Sequence, residues 1–298
     1  MYKKMDMNMM KLMEEFDTET ECRDRLVALR WPNGVRCPRC DSEKIRNSYT
    51  RFQYDCGACG YQFSITSGTI FHDSHLPLPK WFVAIYLMVE SKKGMSANQM
   101  KRTLNVSYKT ALYLCHRIRA AMSESSPKPL SGTVEADETY VGGKRRHVGH
   151  GYKGNKTIVA GVVQRGGAMR LKVVKHADRP TLHRFIREHT APDTKAIYTD
   201  EATAYDGIAD SDTRHERVNH SAEEWVHGDV HTNTVEGVWS LFKRSIAGSY
   251  HKVSTKHLDA YLDELEWRQN NRDNQYMFRD TLRKLISSEN LPYQELIS

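Results

Sequence analysis

Three acidic residues in the second half of the chain have the types and spacing that metal-dependent chemistry on phosphate esters requires. Asp137 and Asp200 each end a short apolar segment typical of a β-strand, and Glu236 lies in a helix-like run after them. Carboxylates brought together from such elements can hold two divalent ions about 3.5–4 Å apart, which stabilise the attacking and leaving oxygens of a phosphodiester displacement. Oxygen ligands favour Mg²⁺ or Mn²⁺. The pattern predicts an enzyme that acts on DNA.

The helix around Glu236 divides its residues into two faces. An apolar face suited to packing on a sheet recurs at helical spacing and consists of Val235, Val238, Trp239, Phe242 and Ile246. The second face carries Asn233, Glu236 and Lys243. A carboxylate for a metal ion would thus project beside a cation for phosphate. The alternative is an ordinary solvated helix face.

Strands and helices alternate from residue 133 onward. Strands are predicted at 133–137, 157–163, 171–174, 196–199 and near 217–218, with a helix at 180–189. Three strands, a helix, a strand and closing helices are the order of an RNase H-like domain. The loop 142–156 is rich in glycine and basic residues, and its Lys144, Arg145 and Arg146 are candidate contacts to a DNA backbone. A merely flexible hairpin loop is the alternative.

Six cysteines divide into a group of four and a group of two. Cys37 and Cys40 form one C-x-x-C pair, and Cys56 and Cys59 form another about 15 residues later, a spacing typical of a four-thiolate zinc site. Such a site has no open coordination position, so one structural Zn²⁺ is predicted. A disulfide pair or coincidental spacing is the alternative. The other two cysteines, at positions 22 and 115, lie among apolar neighbours and are predicted to be buried.

Two helices after the cysteine pairs have the pattern of a helix-turn-helix. A short helix runs to residue 104, a break follows at 105–107, and a second helix continues to residue 122. The second helix begins with Tyr108, Lys109 and Thr110, which are candidate DNA contacts. A helical hairpin used only for packing is the alternative. Arginines further along this helix, at 117 and 119, do not decide between the two because exposed arginine is common.

Composition agrees with a polyanionic partner. Lys and Arg number 44 against 37 Asp and Glu, and the isoelectric point is near 9.0. The longest apolar run, 81–89, is too short to span a bilayer, so no membrane partner is expected. No secretory signal pattern is present, and a cytoplasmic location follows as the expectation, nucleoid-associated when the protein is bound to DNA.

Five stretches together resemble the zinc-ribbon DDE transposases of bacterial insertion sequences, which are relatives of the Merlin superfamily of DNA transposons. They are LRWPNGVRCPRC at 29–40, SGTIF at 67–71, ADETYVGGK at 136–144, YTD at 198–200 and HTNTVEGVWSLFKR at 231–244. The resemblance covers roughly residues 17–285. It implies that Asp137, Asp200 and Glu236 take the catalytic positions and that Lys243 is the basic residue seven positions after the third carboxylate.

The resemblance also leaves two assignments open. Some members of this group have Asn as the third residue, and Asn233 lies on the same helix face as Glu236. A late helix in the group carries a Glu followed by arginines, which Glu264, Arg268 and Arg272 match; an exposed ladder of salt bridges is the alternative.

The resemblance implies cleavage at the transposon ends and strand transfer into target DNA. The expected partners are the terminal inverted repeats and target DNA, and the protein is expected to be a homodimer or higher oligomer on DNA. The expected fold is multidomain α+β: an N-terminal helix (1–30), a zinc ribbon (31–75), a helix-turn-helix segment (76–126) and an RNase H-like mixed α/β catalytic domain (131–288). Two alternatives remain: a DNA-binding regulator with an inactive transposase-derived domain, and a hydrolytic RNase H-like nuclease.

Overall fold

The computed structural model describes residues 7–48, 52–142, 156–218 and 230–297. The chain divides into two compact units, of which unit 1 comprises Met1–Ser123 and Asn271–Ser298 and unit 2 comprises Glu124–Asn270. Within the described ranges, no helix combines the length and the apolar character needed to cross a bilayer.

A three-stranded antiparallel ribbon occupies the first part of unit 1. Its strands are β1 (Ile45–Ser48), β2 (Gln53–Cys56) and β3 (Gln62–Phe63), in the order β1-β2-β3. The strands are short because turns carrying the cysteines interrupt them. Aromatic rings compensate for the small apolar core: Trp31, Tyr54 and Tyr61 all pack around Phe63.

Two helices precede the ribbon within residues 1–30, where the sequence predicted an N-terminal helix. They are α1 (Met9–Glu15) and α2 (Glu19–Arg30). The division arises because Thr18 and Glu21 form a capping box that begins a new helix. Cys22 on α2 is fully buried, as predicted.

Three helices follow the ribbon in unit 1: α3 (Leu78–Glu90), α4 (Ala97–Leu104) and α5 (Tyr108–Met122). Asn105 adopts a left-handed conformation (φ 49°) that ends α4, and the Ser107 side chain accepts a hydrogen bond from the Thr110 backbone N–H to cap α5. The predicted pair of helices joined by a tight turn is therefore present. Cys115 is buried on α5, as predicted.

The end of the chain folds back on unit 1. Here α9 (Met277–Ser287) packs on α2, α3 and α5, and α10 (Tyr293–Ile297) packs on α5. The Phe278 ring lies 6.0 Å from that of Phe82 and 6.4 Å from that of Phe16. The predicted catalytic domain extended to residue 288, whereas unit 2 ends at Asn270. The apolar face of α9 is buried in the helical core of unit 1, which explains the difference.

Unit 2 is built on a five-stranded mixed sheet. Its strands are β4 (Thr133–Val141), β5 (Thr157–Gln164), β6 (Met169–Val174), β7 (Ala196–Thr199) and β8 (Arg214–Arg217). Their order is β6-β5-β4-β7-β8; β4, β5 and β6 are antiparallel neighbours, whereas β7 is parallel to β4 and β8. This is the RNase H-like arrangement that the sequence predicted.

Helices cover both faces of this sheet because alternate strand residues point to opposite sides. On one face α6 (Arg179–His189) packs on Val134, Ala136, Ala160 and Val162. On the other, α7 (Asn233–Ser245) and α8 (Leu258–Asn270) pack on Val159, Val163 and Leu171. Glu135 and Asp137 alternate with Val134 and Ala136 along β4, so they point to the face that α7 covers.

Candidate functional site

The four cysteines of the ribbon meet in one cluster, as predicted. Their sulfurs all lie within 4.8 Å of one another, with Cys37 Sγ 3.7 Å from Cys59 Sγ and Cys40 Sγ 3.6 Å from Cys56 Sγ. A tetrahedral zinc with Zn–S bonds of about 2.3 Å requires sulfurs about 3.8 Å apart. A disulfide requires about 2.05 Å, and all four thiols are free. The geometry fits a structural zinc ion.

The turn between Cys56 and Cys59 favours the thiolate that zinc requires. Backbone N–H groups of Cys59 and Ala58 lower the pKa of the Cys56 thiol to about 6, and the Ala58 N–H lies 3.4 Å from the sulfur. Gly60 has a φ of +70°, a conformation that glycine adopts without strain. The local backbone therefore directs N–H groups at the Cys56 sulfur.

Asp137 lies on β4, the central strand of the sheet in unit 2, with both carboxylate oxygens hydrogen-bonded. Trp239 Nε1–H donates to Oδ2 and the Glu138 backbone N–H donates to Oδ1, each at 2.8 Å. Burial raises the pKa of Asp137 to about 7, and the charges of Asp200 and Glu138 contribute to the increase. Asp137 is thus a largely buried carboxyl group in an environment of negative charge.

Asp200 follows β7, the strand parallel to β4. Glu135 pairs with Tyr198 in the register of the two strands, so Asp137 and Asp200 each lie two residues beyond a paired position, and the charge of Asp200 raises the pKa of Asp137. Its Oδ1 accepts a hydrogen bond from the Ala202 backbone N–H at 3.0 Å. The two predicted aspartates are therefore brought together at the carboxyl end of β7. Such a pair of close carboxylates is typical of a site that accepts a cation.

Glu138, which no sequence pattern indicated, also belongs to this acidic group. Burial raises its pKa, and the charge of Asp200 adds to the increase, whereas a hydrogen bond from the Tyr205 hydroxyl at 2.6 Å opposes it. The only available sequence signal was its position directly after Asp137.

Glu236 lies in the first turn of α7, the helix that carries Trp239. The Thr232 hydroxyl donates to Glu236 Oε1 at 2.8 Å. Asn233 and Lys243 are exposed at opposite ends of the same helix. Across the described residues, only the cysteine cluster places three or more candidate ligand atoms within 4.8 Å of one another. The carboxylates of Asp137, Asp200 and Glu236 therefore do not close to that distance as a set.

A second acidic residue of β4, Glu135, was also missed. It is fully buried and accepts hydrogen bonds from Arg165 and from the start of α7. Its partners on α7 lie about a hundred residues away in sequence, so helical or strand periodicity gives no signal for the contact. The alternation that places Glu135 on the same strand face as Asp137 was the one readable clue.

The candidate DNA contacts on α5 are partly accessible. Tyr108 and Lys109 are exposed and Thr110 is partly buried, while Lys109 Nζ lies 4.5 Å above the Tyr293 ring. Arg117, which sequence reasoning treated as exposed, is buried and donates to the His72 carbonyl at 2.6 Å; Arg119 is buried as well. The Arg117 guanidinium lies 5.3 Å from the centre of the Trp81 ring and 5.2 Å from that of the Tyr113 ring, which contributes to its burial.

Two other predicted sets have different outcomes. Lys144, Arg145 and Arg146 lie outside the described residues. Glu264 and Arg268 form an ion pair at 3.3 Å with exposed fractions of 0% and 3%, so an exposed ladder is wrong for them. The Tyr250 hydroxyl also donates to Glu264, at 2.9 Å. Arg272 lies beyond α8, beside Asp273.

Comparisons with known proteins agree with this architecture. Residues 129–270 match the family model of the ISXO2-like transposase domain, and residues 17–62 match that of the transposase zinc-ribbon domain. A Halobacterium salinarum protein described as an uncharacterized protein in transposable element ISH50 is 33% identical over 273 residues, which cover 85% of this chain and 91% of that protein. An uncharacterized transposase-like protein of Haemophilus influenzae is 33% identical over 99 residues, covering 33% of this chain and 78% of that protein.

Solved structures with detectable likeness include the Mos1 strand transfer complex, with 11% identity and a TM-score of 0.30 over 69% of this chain and 74% of that chain. A pre-cleavage Mos1 transpososome has 10% identity and a TM-score of 0.27 over 71% and 79%. At these TM-scores the likeness supports no conclusion about this chain. The two matched domains and the halobacterial relative, similar over nearly its whole length, show that the chain belongs to the ISXO2-like, zinc-ribbon transposases of insertion sequences.

Proposed function

We propose that this transposase cleaves DNA at its element's ends and joins them to target DNA with Asp137, Asp200 and Glu236 as ligands for two Mg²⁺ or Mn²⁺ ions. The observation that carries the proposal is the proximity of Asp137 and Asp200 on neighbouring parallel strands. Their two negative charges repel each other at a largely buried site, and a divalent cation between them would offset that repulsion. Carboxylate oxygens are the ligands that these hard cations prefer.

Bound ions of this kind lower the pKa of the attacking water and stabilise the charge on the leaving oxygen. Neighbouring groups of the chain hold and orient the carboxylates that would bind these ions. Trp239 and the Glu138 N–H fix the Asp137 carboxylate, and the Thr232 hydroxyl holds that of Glu236. Closure of Glu236 toward the two aspartates would complete the ligand set, and Lys243 would contact a DNA phosphate.

The proposed reaction has two steps. In each step one P–O bond forms and one breaks, and neither step requires an external source of energy. Water attacks the phosphodiester at the transposon end, a new P–O bond forms and the bond to the 3′ oxygen breaks, which frees a 3′-hydroxyl. That hydroxyl then attacks a phosphodiester of the target, forms a new ester bond and displaces the 3′ oxygen of the target strand. The second step conserves the number of phosphodiester bonds, so no covalent protein–DNA intermediate is needed.

End recognition in this proposal belongs to unit 1. Tyr108, Lys109 and Thr110 begin the second helix of the helix-turn-helix, the position from which such helices contact the major groove. Lys144, Arg145 and Arg146 would contact the DNA backbone near the catalytic centre. An insertion sequence has two ends, and we propose that a homodimer or higher oligomer holds them.

Purified protein incubated with its element's own DNA ends, Mg²⁺ and a target plasmid tests the proposal. We expect metal-dependent 3′-end cleavage followed by a joined product. Cleaved ends without joined product would indicate a hydrolytic nuclease instead. End binding without cleavage in either Mg²⁺ or Mn²⁺ would indicate a regulator with an inactive domain.

A further inference from the structure

Glu135 makes an unusually complete set of contacts for a buried carboxylate. Its side chain has an exposed fraction of 0%. Oε1 accepts hydrogen bonds from Arg165 Nε and from the Thr234 hydroxyl, both at 2.8 Å, and Oε2 accepts from the backbone N–H groups of Thr234 at 2.7 Å and Val235 at 3.1 Å. His231 Nδ1 lies 3.3 Å from Oε1. A charge without access to water needs such partners.

These contacts make Glu135 the cap of α7, although it belongs to another element. The first N–H groups of a helix have no partner within the helix, and a side chain at the N-cap position usually accepts from them. Thr232 occupies that position in α7 and makes no such bond. Its hydroxyl donates to the Glu236 carboxylate instead. With Glu135 as the cap, Thr232 can hold the candidate metal ligand.

A second bond joins the same strand to the same helix one turn later. Asp137 lies two residues beyond Glu135 on β4, about 6.7 Å along the strand. It binds Trp239, which lies four residues beyond Val235 and therefore about 6 Å along the helix. The two spacings match, so the pair of bonds determines both the rotation and the axial position of α7. Glu236 lies between the two points of attachment.

Arg165 extends the network to the strand that leads to Asp200. Its Nη2 donates to the His231 carbonyl at 2.9 Å, and its guanidinium lies 4.6 Å from the centre of the Tyr198 ring. Tyr198 is on β7, two residues before Asp200. The pair formed by the buried Glu135 and the partly exposed Arg165 thus contacts all three elements that carry the proposed ligands.

We propose that Glu135 is a positioning residue that sets the orientation of Glu236 toward Asp137 and Asp200 by capping α7. The inference rests on the proposed function. Glu135 touches neither the metal ions nor the DNA in this account. It acts through the helix, and its loss would weaken metal binding and cleavage while end recognition in unit 1 persists.

The test compares Glu135→Gln with two reference variants. Gln is the same size but keeps only one acceptor oxygen, so its NH₂ group must face either Arg165 and the Thr234 hydroxyl or the backbone N–H groups of α7, and the charge that pairs with Arg165 is lost. Glu266→Gln is the matched control, since Glu266 is a mostly buried glutamate of the same unit that bonds the Leu171 N–H on β6, away from the start of α7. Asp137→Asn reports whether the proposed function itself holds.

Two measurements are made on the full chain: Mn²⁺ binding followed by electron paramagnetic resonance, and single-turnover 3′-end cleavage as a function of Mg²⁺ concentration. We expect Glu135→Gln to weaken Mn²⁺ binding and to raise the half-saturating Mg²⁺ concentration, each by about tenfold or more, as for partners that orient metal ligands elsewhere. Glu135→Asp should restore part of the loss. Glu266→Gln should leave both metal readouts at the wild-type value.

Thr234→Val keeps the inference testable if Glu135→Gln does not fold. It removes one hydroxyl donor to Oε1 and keeps the backbone cap, so we expect a smaller change in the same direction. Wild-type metal dependence in Glu135→Gln, or in Thr234→Val, with an inactive Asp137→Asn would overturn the positioning role and leave the proposed function standing. Cleavage by Asp137→Asn at the wild-type rate would overturn the proposed function instead.

Discussion

The Trp239 indole N–H donates a hydrogen bond to Asp137 at 2.8 Å. To reach that carboxylate the indole passes over Gly161 of β5, which has no side chain. Gly161 pairs with Asp137 in the register of β4 and β5, and a Cβ atom there would lie 2.6 Å from Trp239 Cη2. The absence of a side chain at this position is therefore what allows the indole to reach the carboxylate.

We expect Gly161→Ala to displace Trp239 and to cost about 1–3 kcal/mol in the free energy of unfolding, as overpacking does in other cores. Urea unfolding of the purified protein measures it. Gly237→Ala is the matched control, because Gly237 lies on α7 and a methyl group added there would meet no atom within 4 Å apart from its chain neighbours and the backbone of its own helix. Alanine at this position should stabilise the helix by about 0.5–1 kcal/mol. Equal stability of the two variants would contradict the close contact between position 161 and the Trp239 ring.

The ribbon should contain one zinc ion per chain. Structural zinc contributes on the order of 10–16 kcal/mol of apparent binding energy in small modules. We therefore expect Cys40→Ser to lose the metal and unfold the ribbon while residues 124–270 keep their secondary structure. Elemental analysis with circular dichroism checks both. Cys115→Ala, which removes a buried thiol outside the cluster, should retain its zinc; freshly purified wild-type protein without zinc would contradict the assignment.

Salt dependence tests the proposed recognition helix. If Lys109 contacts a DNA phosphate, Lys109→Ala should reduce the log–log salt slope of end binding by about 0.9. Lys11→Ala removes a lysine on α1 that pairs with Glu15, and it should leave the slope unchanged. Fluorescence anisotropy over a range of KCl concentrations measures both. An unchanged slope in Lys109→Ala would remove this residue from the interface.

Stability of unit 2 should fall as the pH rises, because of Glu266. Burial raises the pKa of Glu266 to about 8 despite the bond from the Leu171 N–H and the nearby charge of Arg170. A carboxyl group with a folded-state pKa above its ordinary value of 4.5 stabilises the fold fully below pH 4.5 and loses that contribution as the pH rises through about 8. Glu266→Gln removes the titrating group. Between pH 6 and 9 its free energy of unfolding, relative to that of the wild type, should therefore rise by on the order of 1 kcal/mol or more. If the difference in unfolding free energy between the two proteins stays constant across that pH range, Glu266 does not titrate in this way.

Local patterns predicted much of the scaffold. The C-x-x-C spacing predicted the cysteine cluster, the order of strands and helices predicted the sheet, and the ends of two apolar segments located Asp137 and Asp200. Contacts between distant segments could not be predicted in this way. Neither the capping of α7 by Glu135 nor the bond from Tyr205 to Glu138 has a periodic signal. The return of α9 to unit 1 depends on which apolar surface its amphipathic face meets, and sequence periodicity does not specify the partner.

The third proposed ligand is tested by two variants of α7. Glu236→Gln should stop cleavage, because an amide is a poorer ligand than a carboxylate for a hard cation. Asn233→Ala should have the smaller effect, since Asn233 is exposed at the first residue of the helix, whereas Glu236 is held by Thr232. Full activity in Glu236→Gln with none in Asn233→Ala would transfer the role to Asn233.

The most direct test of the catalytic centre is single-turnover 3′-end cleavage in Mg²⁺ by Asp137→Asn and Asp200→Asn, with end binding measured on the same preparations. Each change removes one of the two carboxylate charges that would hold the metal ions, with almost no change in side-chain volume. We expect both variants to bind the element's ends as the wild type does and to lose cleavage and joining by at least about a hundredfold. Wild-type cleavage by either variant would contradict a centre built on this pair of aspartates.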